Sequence, residues 1–396
     1  MTSGLITMPW WGYFLVTLGL THITIASVTL YLHRCQAHRS IELHPLVSHF
    51  FRFWLWLTTG MQTREWVAIH RKHHARVETD EDPHSPQTRG ISKVLWEGAE
   101  LYREERKNRQ TMEDYGHYTP DDWIERKVYT PLIDYGIFVM LLIDVLLFGV
   151  VGISIWAVQM IWIPFFAAGV INGFGHWWGY RNFDTPDAAT NIVPIGILIG
   201  GEEMHNNHHA FAASARFSNK WWEFDVGWLY IRLLQSLGFA RVKKTAPAPK
   251  IIPAKDSIDL ETVSAVITNR LYVMSDYTRN VIKRVYKEEY AQAARSSRRA
   301  LRKLKRAINK PQFHLDRESR HHLESLLHQN ETMKIVYEFR QNLQTLWQSG
   351  TASQEALLKD LQDWCQQAEE SGIEALEEFV QVLRGYSMQP ALPAPR

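Results

Sequence analysis

The chain of 396 residues is poor in cysteine, with only Cys35 and Cys365, far apart and in no C-x-x-C. That excludes a disulfide framework and a zinc ribbon, and it suits a reducing compartment. Between Pro9 and Leu32 there is no Lys, Arg, Asp or Glu, and no Lys or Arg at all precedes residue 34. A secretory leader needs a positive start, so this stretch reads as a retained membrane span, long enough for a hydrocarbon layer of roughly 30 Å. The net charge is only +2, which gives no reason to expect a nucleic-acid partner. The metalloprotease pattern H-E-x-x-H is missing, and so is the H-P-G-G of a fused cytochrome: His44-Pro45 is followed by Leu46 and Val47.

What is present is apolar and aromatic: 45% of residues are hydrophobic and 16 are Trp. The first cations, Arg34 and Arg39, follow the first span directly, which places residue 33 onward on the cytoplasmic side. The run LVSHFFRFWLWLTTGMQ at 46–62 carries His49 and Arg52 and is short; it is expected to lie along the membrane or re-enter it. Residues 131–172 are long enough for two further spans, interrupted near Gly149 and Gly152, and a hairpin there returns the chain to the same side. After residue 240 the composition changes. A Lys/Pro/Ala-rich linker over 241–255 leads into a segment of helix formers at 256–386, and the tail 387–396 is expected to be disordered. Within the helical segment, RSSRRALRKLKRAINK at 295–310 is strongly basic: either a solvated helix face or a contact for anionic lipid headgroups.

The chemistry is in the histidines. HRKHHA at 70–75 and HNNHHA at 205–210 each place three of them at i, i+3 and i+4, so His70, His73 and His74 share one helix face, as do His205, His208 and His209. Two such faces can close around metal from opposite sides. His33 and His38, five residues apart, fall about 140° apart on an ideal helix and are expected to serve different metal atoms or to straddle a fraying helix end. His176, with Asn172 four residues before it, completes a set of nine of the 18 histidines, too many for one metal atom. The isolated His22, His44, His49 and His117 read as packing or interfacial residues. Imidazole suits zinc, copper, nickel or iron, and the lack of thiolates removes soft-metal and iron–sulfur sites. Glu78, Asp82, Glu202 and Glu203 lie beside the clusters, where carboxylates can hold imidazole N–H groups.

HRCQAHR, EWVAIHRKHH with ETDEDPHSPQTRG after it, NGFGHWWGYR and GEEMHNNHHAF together resemble the histidine boxes of integral-membrane fatty-acyl desaturases, the stearoyl-coenzyme A and bacterial acyl-lipid Δ9 type, over roughly residues 10–240. The resemblance implies an all-α fold: a membrane-embedded bundle of about three spans plus an interfacial helix, with a histidine-rich di-iron cap and, here, a C-terminal helical extension. It implies two Fe2+ ions held by His33, His38, His70, His73, His74, His176, His205, His208 and His209, with Asn172 as a ligand through water. It implies O2 as co-substrate, a cis double bond, placed at Δ9, in an acyl chain carried on phospholipid or coenzyme A, and a separate ferredoxin- or cytochrome-type donor with its NAD(P)H reductase. The implied location is a bacterial inner membrane with the site facing the cytoplasm. The family's acyl tunnel has a Trp just before the second box, matched by Trp66, and a Thr where this chain has Ala168, a departure that bears on chain length and bond position. Arg71, Lys72, Arg89 and Arg103 are candidates to meet carrier phosphates. A di-iron hydroxylase, or a non-catalytic metal- or haem-binding membrane protein, are the alternatives. The helical tail looks faintly like the C-terminal regions of some transposases.

Overall fold

A computed structural model describes residues 4–253, 255–308, 317–347 and 353–388. The chain is mostly helical, and strands occur among the described residues only as three short pairs. It divides into two compact units, one of Met1–Asn182 with Asp187–Ala246 and one of Phe183–Pro186 with Pro247–Arg396.

The first unit begins with α1, Trp10–Ala37, an unbroken helix of 28 residues long and apolar enough to cross a membrane. Helix α2, Pro45–Thr58, starts at a proline in its first turn and is 14 residues long. At 1.5 Å per residue it reaches about 21 Å, short of a hydrocarbon layer. It is two-faced: Phe51, Arg52, Leu55 and Thr58 are buried, while Leu46, Phe50 and Phe53 are exposed. Helix α3, Thr63–Arg76, carries the second histidine box, and α4, Ile91–Glu105, follows it. Helices α5, Ile133–Phe148, and α6, Val151–Phe174, form an apolar hairpin. Gly149 breaks the chain between them at φ 65°, a backbone state that side chains disfavour. Across the hairpin the buried Gln159 donates its amide N–H to Asp144 at 2.9 Å.

Of the three spans implied by the resemblance, α1 and α6 meet the length for crossing a membrane, whereas α5 stops at 16 residues. The exposed surfaces of all three are nonetheless apolar: Trp10, Trp11, Phe14, Leu15 and Leu18 on α1, Tyr135, Phe138, Leu142 and Leu146 on α5, Ile153 and Ile161 on α6. Contiguous rows of this kind are rare on surfaces that face water. The short helix α7, His205–Ala210, and α8, Val226–Ser236, complete the unit. Strand β1, Ile41–Leu43, pairs antiparallel with Ala240–Val242, tying the exit of α1 to the end of α8.

The second unit has its own core. Helices α9, Leu260–Thr268, α10, Lys283–Gln292, α11, Arg295–Ile308, α12, Arg317–Leu327, α13, Glu331–Leu346, α14, Gln354–Glu370, and α15, Glu374–Arg384, gather around Tyr277, Val336, Trp364 and Phe379. Two aromatic residues there satisfy their polar atoms on backbone: Tyr277 Oη donates to Val336 O at 2.7 Å and Trp364 Nε1 to Phe339 O at 3.0 Å. Lys250–Ile251 pairs antiparallel with Tyr386–Ser387. Residues 389–396, most of the segment expected to be disordered, lie outside the described residues.

Candidate metal centre

The nine histidines come from α3, α7 and the C-terminal ends of α1 and α6, with His38 and His176 just beyond those ends, and converge as two clusters. One comprises His33, His38, His70, His74 and His208; the other comprises His73, His176, His205 and His209. Within each cluster the ligand nitrogens lie within 4.8 Å of one another.

Each H-x-x-H-H box is split between the clusters. His70 and His74, four apart on α3, point into the first and His73 into the second; on α7, His205 and His209 point into the second and His208 into the first. Neighbouring residues on a helix diverge by about 100°, so the doubled histidine serves both clusters at once. The expectation that His33 and His38 serve different atoms is not met, for they share the first cluster. The reason is local. The end of α1 is wound in wide turns, and His38 N donates to His33 O, five residues back, at 3.0 Å. In such a π-type turn a five-residue step returns to nearly the same side.

The ring contacts fix what the clusters can hold. Nε2 of His33 lies 2.9 Å from that of His70 and 3.2 Å from that of His208, His38 Nε2 is 2.7 Å from His70 Nε2, and His208 Nε2 is 2.9 Å from His74 Nε2. In the second cluster, His176 Nε2 is 3.1 Å from His73 Nε2 and 3.0 Å from His205 Nε2. The opposite sides of four rings face carboxylates. His33 Nδ1 lies 2.6 Å from Glu202, His73 Nδ1 3.0 Å from Asp82, His176 Nδ1 2.8 Å from Glu78 and His209 Nδ1 2.8 Å from Asp187. A carboxylate that accepts a hydrogen bond from Nδ1–H holds the proton on that nitrogen and so leaves Nε2 with its lone pair free for metal. His209 Nε2 is buried with no hydrogen-bond partner. Lone pairs crowded together in a buried space repel unless a cation lies among them, so the donor set fits metal ions. Burial, reinforced by neighbouring imidazoles, holds His70, His74, His205 and His208 well below the usual imidazole range, which keeps them neutral as ligands must be.

Local sequence aims the carboxylates. Glu78 follows the end of α3 in a left-handed conformation, φ 62°, unusual for a residue with a side chain. Its backbone N–H donates to Asp82 Oδ2, and its carboxylate accepts from Ser85 Oγ at 2.7 Å as well as from His176. Strain of this kind persists where surrounding contacts over-determine it, and here it turns one residue toward the second cluster. The asparagines of HNNHHA hold α7: Asn207 donates to Phe217 O and Glu223, and Asn206 Oδ1 accepts from Asn182 N.

Of the four acids expected beside the clusters, Glu78, Asp82 and Glu202 face imidazoles. Glu203 does not: it accepts from the backbone N–H groups of Ile199 and Gly201 and shapes the turn before α7. Asp187, which does face an imidazole, lies in the loop DTPDAAT, where spacing gives no signal. His84 stands outside the two repeated boxes in sequence yet close to them in space. It lies face to face with His73 at 4.4 Å and groups with His73 and Asp82. Of the isolated histidines, His22 bonds Tyr230 Oη at 2.6 Å and His44 caps the start of α2.

A cavity of about 260 Å³ opens beside the first cluster, lined by His70, His84, Trp66, Ala168 and Asn172 and also by Gly60, Ile137 and Ile163. Trp66 forms part of its wall and stacks on His70, with ring centroids 4.8 Å apart and planes 12° apart. A Cβ on Gly98 would collide with the Ala168 carbonyl, so glycine lets α4 approach α6 closely here. The cations expected at the mouth are mostly committed elsewhere. Arg71 donates to the carbonyls of Gln36, Ala37, Tyr115 and His117, Lys72 to Glu105 and Thr111, and Arg89 to Asp82 O. Arg103 lines the cavity, joined by Arg106.

Removing the charge behind one ligand tests this arrangement. Asp187→Asn keeps the shape but weakens the pull on the His209 ring, and metal affinity is expected to fall roughly 10–100-fold. Competition with a chromogenic chelator reads this directly; an unchanged affinity would show that Asp187 does not support a ligand.

A family model described as fatty acid desaturase matches residues 8–244, and a transposase model matches residues 265–389. The chain is 34% identical over 225 residues to the sn-1 stearoyl-lipid 9-desaturase of Anabaena variabilis, covering 55% of this chain and 79% of that one. It is 35% identical to the icosanoyl-CoA 5-desaturase of Limnanthes douglasii, over 57% of this chain and 63% of that one. It is 30% identical to the delta-9 acyl-lipid desaturase 1 of Arabidopsis thaliana, over 58% of this chain and 74% of that one.

Proposed function

Because the chain belongs to the fatty acid desaturase family, we propose that it is an oxygen-dependent desaturase that introduces a cis double bond, at Δ9, into a long acyl chain carried on phospholipid or coenzyme A. The observation that carries this reading is a pair of all-imidazole clusters, the first of which lends His70 to the wall of a largely apolar cavity. His33, His38, His70, His74 and His208 would hold one iron; His73, His176, His205 and His209 would hold the other, with Asn172 acting through water. Bound iron supplies O2 chemistry strong enough for an unactivated methylene, whose C–H is far too weak an acid for any side-chain base.

The chain's own residues do the rest. Glu78, Asp82, Asp187 and Glu202 orient the rings from behind and offset the charge that nine neutral ligands leave uncompensated. Trp66 fixes the ring plane of His70 and, with Ala168, forms the wall along which the acyl chain lies. His70 and Asn172 line the cavity, so the distance from them to the carrier group would decide which methylene reacts. Two electrons per turnover come from a separate ferredoxin- or cytochrome-type donor with its reductase. We place α1, α5 and α6 across a bacterial inner membrane, α2 along its surface and the clusters on the cytoplasmic side, with residues 1–240 as the desaturase domain, 241–255 as linker and 256–386 as a cytoplasmic helical extension.

Supplying the purified chain with acyl substrate, donor, reductase and O2 tests the proposal by product: an alkene supports it, and an alcohol points to hydroxylation. Ala168→Phe places a ring in the cavity and is expected to shift the product toward shorter chains or to stop turnover of the longest ones. Gas chromatography of the products checks this; an unaltered chain-length profile would show that residue 168 does not border the substrate.

A further inference from the structure

The basic helix α11 of the second unit takes no part in the metal centre. Arg295, Arg299, Arg302, Lys303 and Arg306 are exposed on it, and their helical positions fall within an arc of about 100°. Leu301, Leu304 and Ile308 occupy the opposite face and are buried in the unit's own core. The flanking cations are engaged internally: Arg298 lies over the Tyr290 ring at 5.4 Å and Lys305 over the Tyr286 ring at 5.1 Å. Among the described residues, none of the five cations on the exposed arc forms an ion pair with a carboxylate. Acids are frequent elsewhere in the unit: α14 and α15 carry Glu355, Asp360, Asp363, Glu369, Glu370, Glu374, Glu377 and Glu378, and α12 carries Glu318 and Glu324. On α11 itself the five cations form a row of like charges that repel one another in water until anions meet them.

We propose that this face docks on the anionic phospholipid surface of the membrane that holds the first unit. The proposal rests on the membrane reading of α1, α5 and α6. The apolar side of α11 is already committed to a protein core, so the helix cannot insert as an amphipathic anchor does, and contact is electrostatic and sensitive to salt. Tethering favours lipid. Residues 247–259 span at most about 45 Å when fully extended, so the second unit meets headgroups at high local concentration whatever else the solution contains. The match of this region to a transposase model makes nucleic acid the rival partner. That partner would have to be captured from solution, whereas the lipid surface is always within reach.

The full chain in lipid nanodiscs tests this, with p-benzoylphenylalanine in place of Lys303 or, as a reference, in place of the exposed Leu142 on α5. Irradiation in discs rich in phosphatidylglycerol is expected to give a lipid adduct at 303 roughly tenfold stronger than in phosphatidylcholine discs. The adduct should disappear in high salt and in the triple variant Arg299→Glu, Arg302→Glu, Arg306→Glu, while the adduct at 142 persists throughout. An adduct at 142 but none at 303 overturns the docking and leaves the membrane reading intact; no adduct at either position overturns both. Equal adducts at 303 in both lipids, or crosslinking to added duplex DNA in their place, also overturns it.

Discussion

Cells expressing the His208→Ala variant are expected to lose the unsaturated fatty acid that the parent chain adds to their lipids, with turnover reduced at least about 100-fold. His208 has no substitute in the first cluster. Its Nε2 approaches those of both His33 and His74, at 3.2 and 2.9 Å, so it brings α7 against ligands from both α1 and α3. Alanine leaves four imidazoles around a space shaped for five. The helix itself should survive, because Asn207 and Asn206 hold α7 through bonds that do not involve the ring. Gas chromatography of total fatty acids from cells carrying each version reads the result, with circular dichroism to show that the variant is folded. An unchanged profile in both strains would count against desaturation; a product made equally by both would remove His208 from the site.

The second large effect concerns folding. Asp225→Ala is expected to destabilise the first unit by about 3–5 kcal/mol, because it strands a fully buried guanidinium. Arg34 and Asp225 are both without side-chain exposure, and Arg34 Nη2 reaches Asp225 Oδ1 at 2.9 Å and Oδ2 at 3.1 Å. Nη1 donates to Thr29 Oγ1 and Gly200 O, and the guanidinium lies 3.9 Å from the Phe217 ring centroid. Phe217 in turn packs against His33 and His208, so this pair anchors the end of α1 behind the first cluster. Arg34→Met should be milder. Asp225 would keep the backbone N–H groups of Phe217 and Trp228, and a methionine fills much of the vacated volume. In a unit of this size the alanine variant should lose roughly 10 °C of thermal midpoint, with iron lost in parallel. Equal midpoints for wild type and Asp225→Ala would mean that the pair carries no structural weight.

These particulars show what the sequence could and could not disclose. The histidine boxes were legible because helix periodicity is local: spacing alone put His70, His73 and His74 on one face of a helix. How the box divides was not, since that depends on where the second cluster lies. His33 and His38 straddle the end of α1, as one of the two expectations had it, but share a cluster instead of serving different atoms. An ideal α-helix separates them by about 140°, and nothing in SVTLYLHRCQA announces wide turns. Glu78, Asp82 and Glu202 were legible by proximity in sequence; Glu203, equally close, was used by its own backbone turn. Asp187 acts from a loop and Asp225 from the N-cap of α8, both distant in the chain from their partners, and only the folded unit brings them to His209 and Arg34. Of the cations expected at the cavity mouth only Arg103 lines the cavity, because charge shows in a sequence while its partners do not. Arg71 and Lys72 are held by carbonyls and by Glu105, whereas Arg106, which borders the cavity, looked no different from its neighbours.

Metal analysis of the purified chain tests the central claim most directly. With iron and zinc measured by inductively coupled plasma mass spectrometry against protein quantified by amino-acid analysis, two all-imidazole clusters should retain close to two irons per chain and little zinc. A chain that carries no iron, a single iron, or zinc in its place would contradict the account.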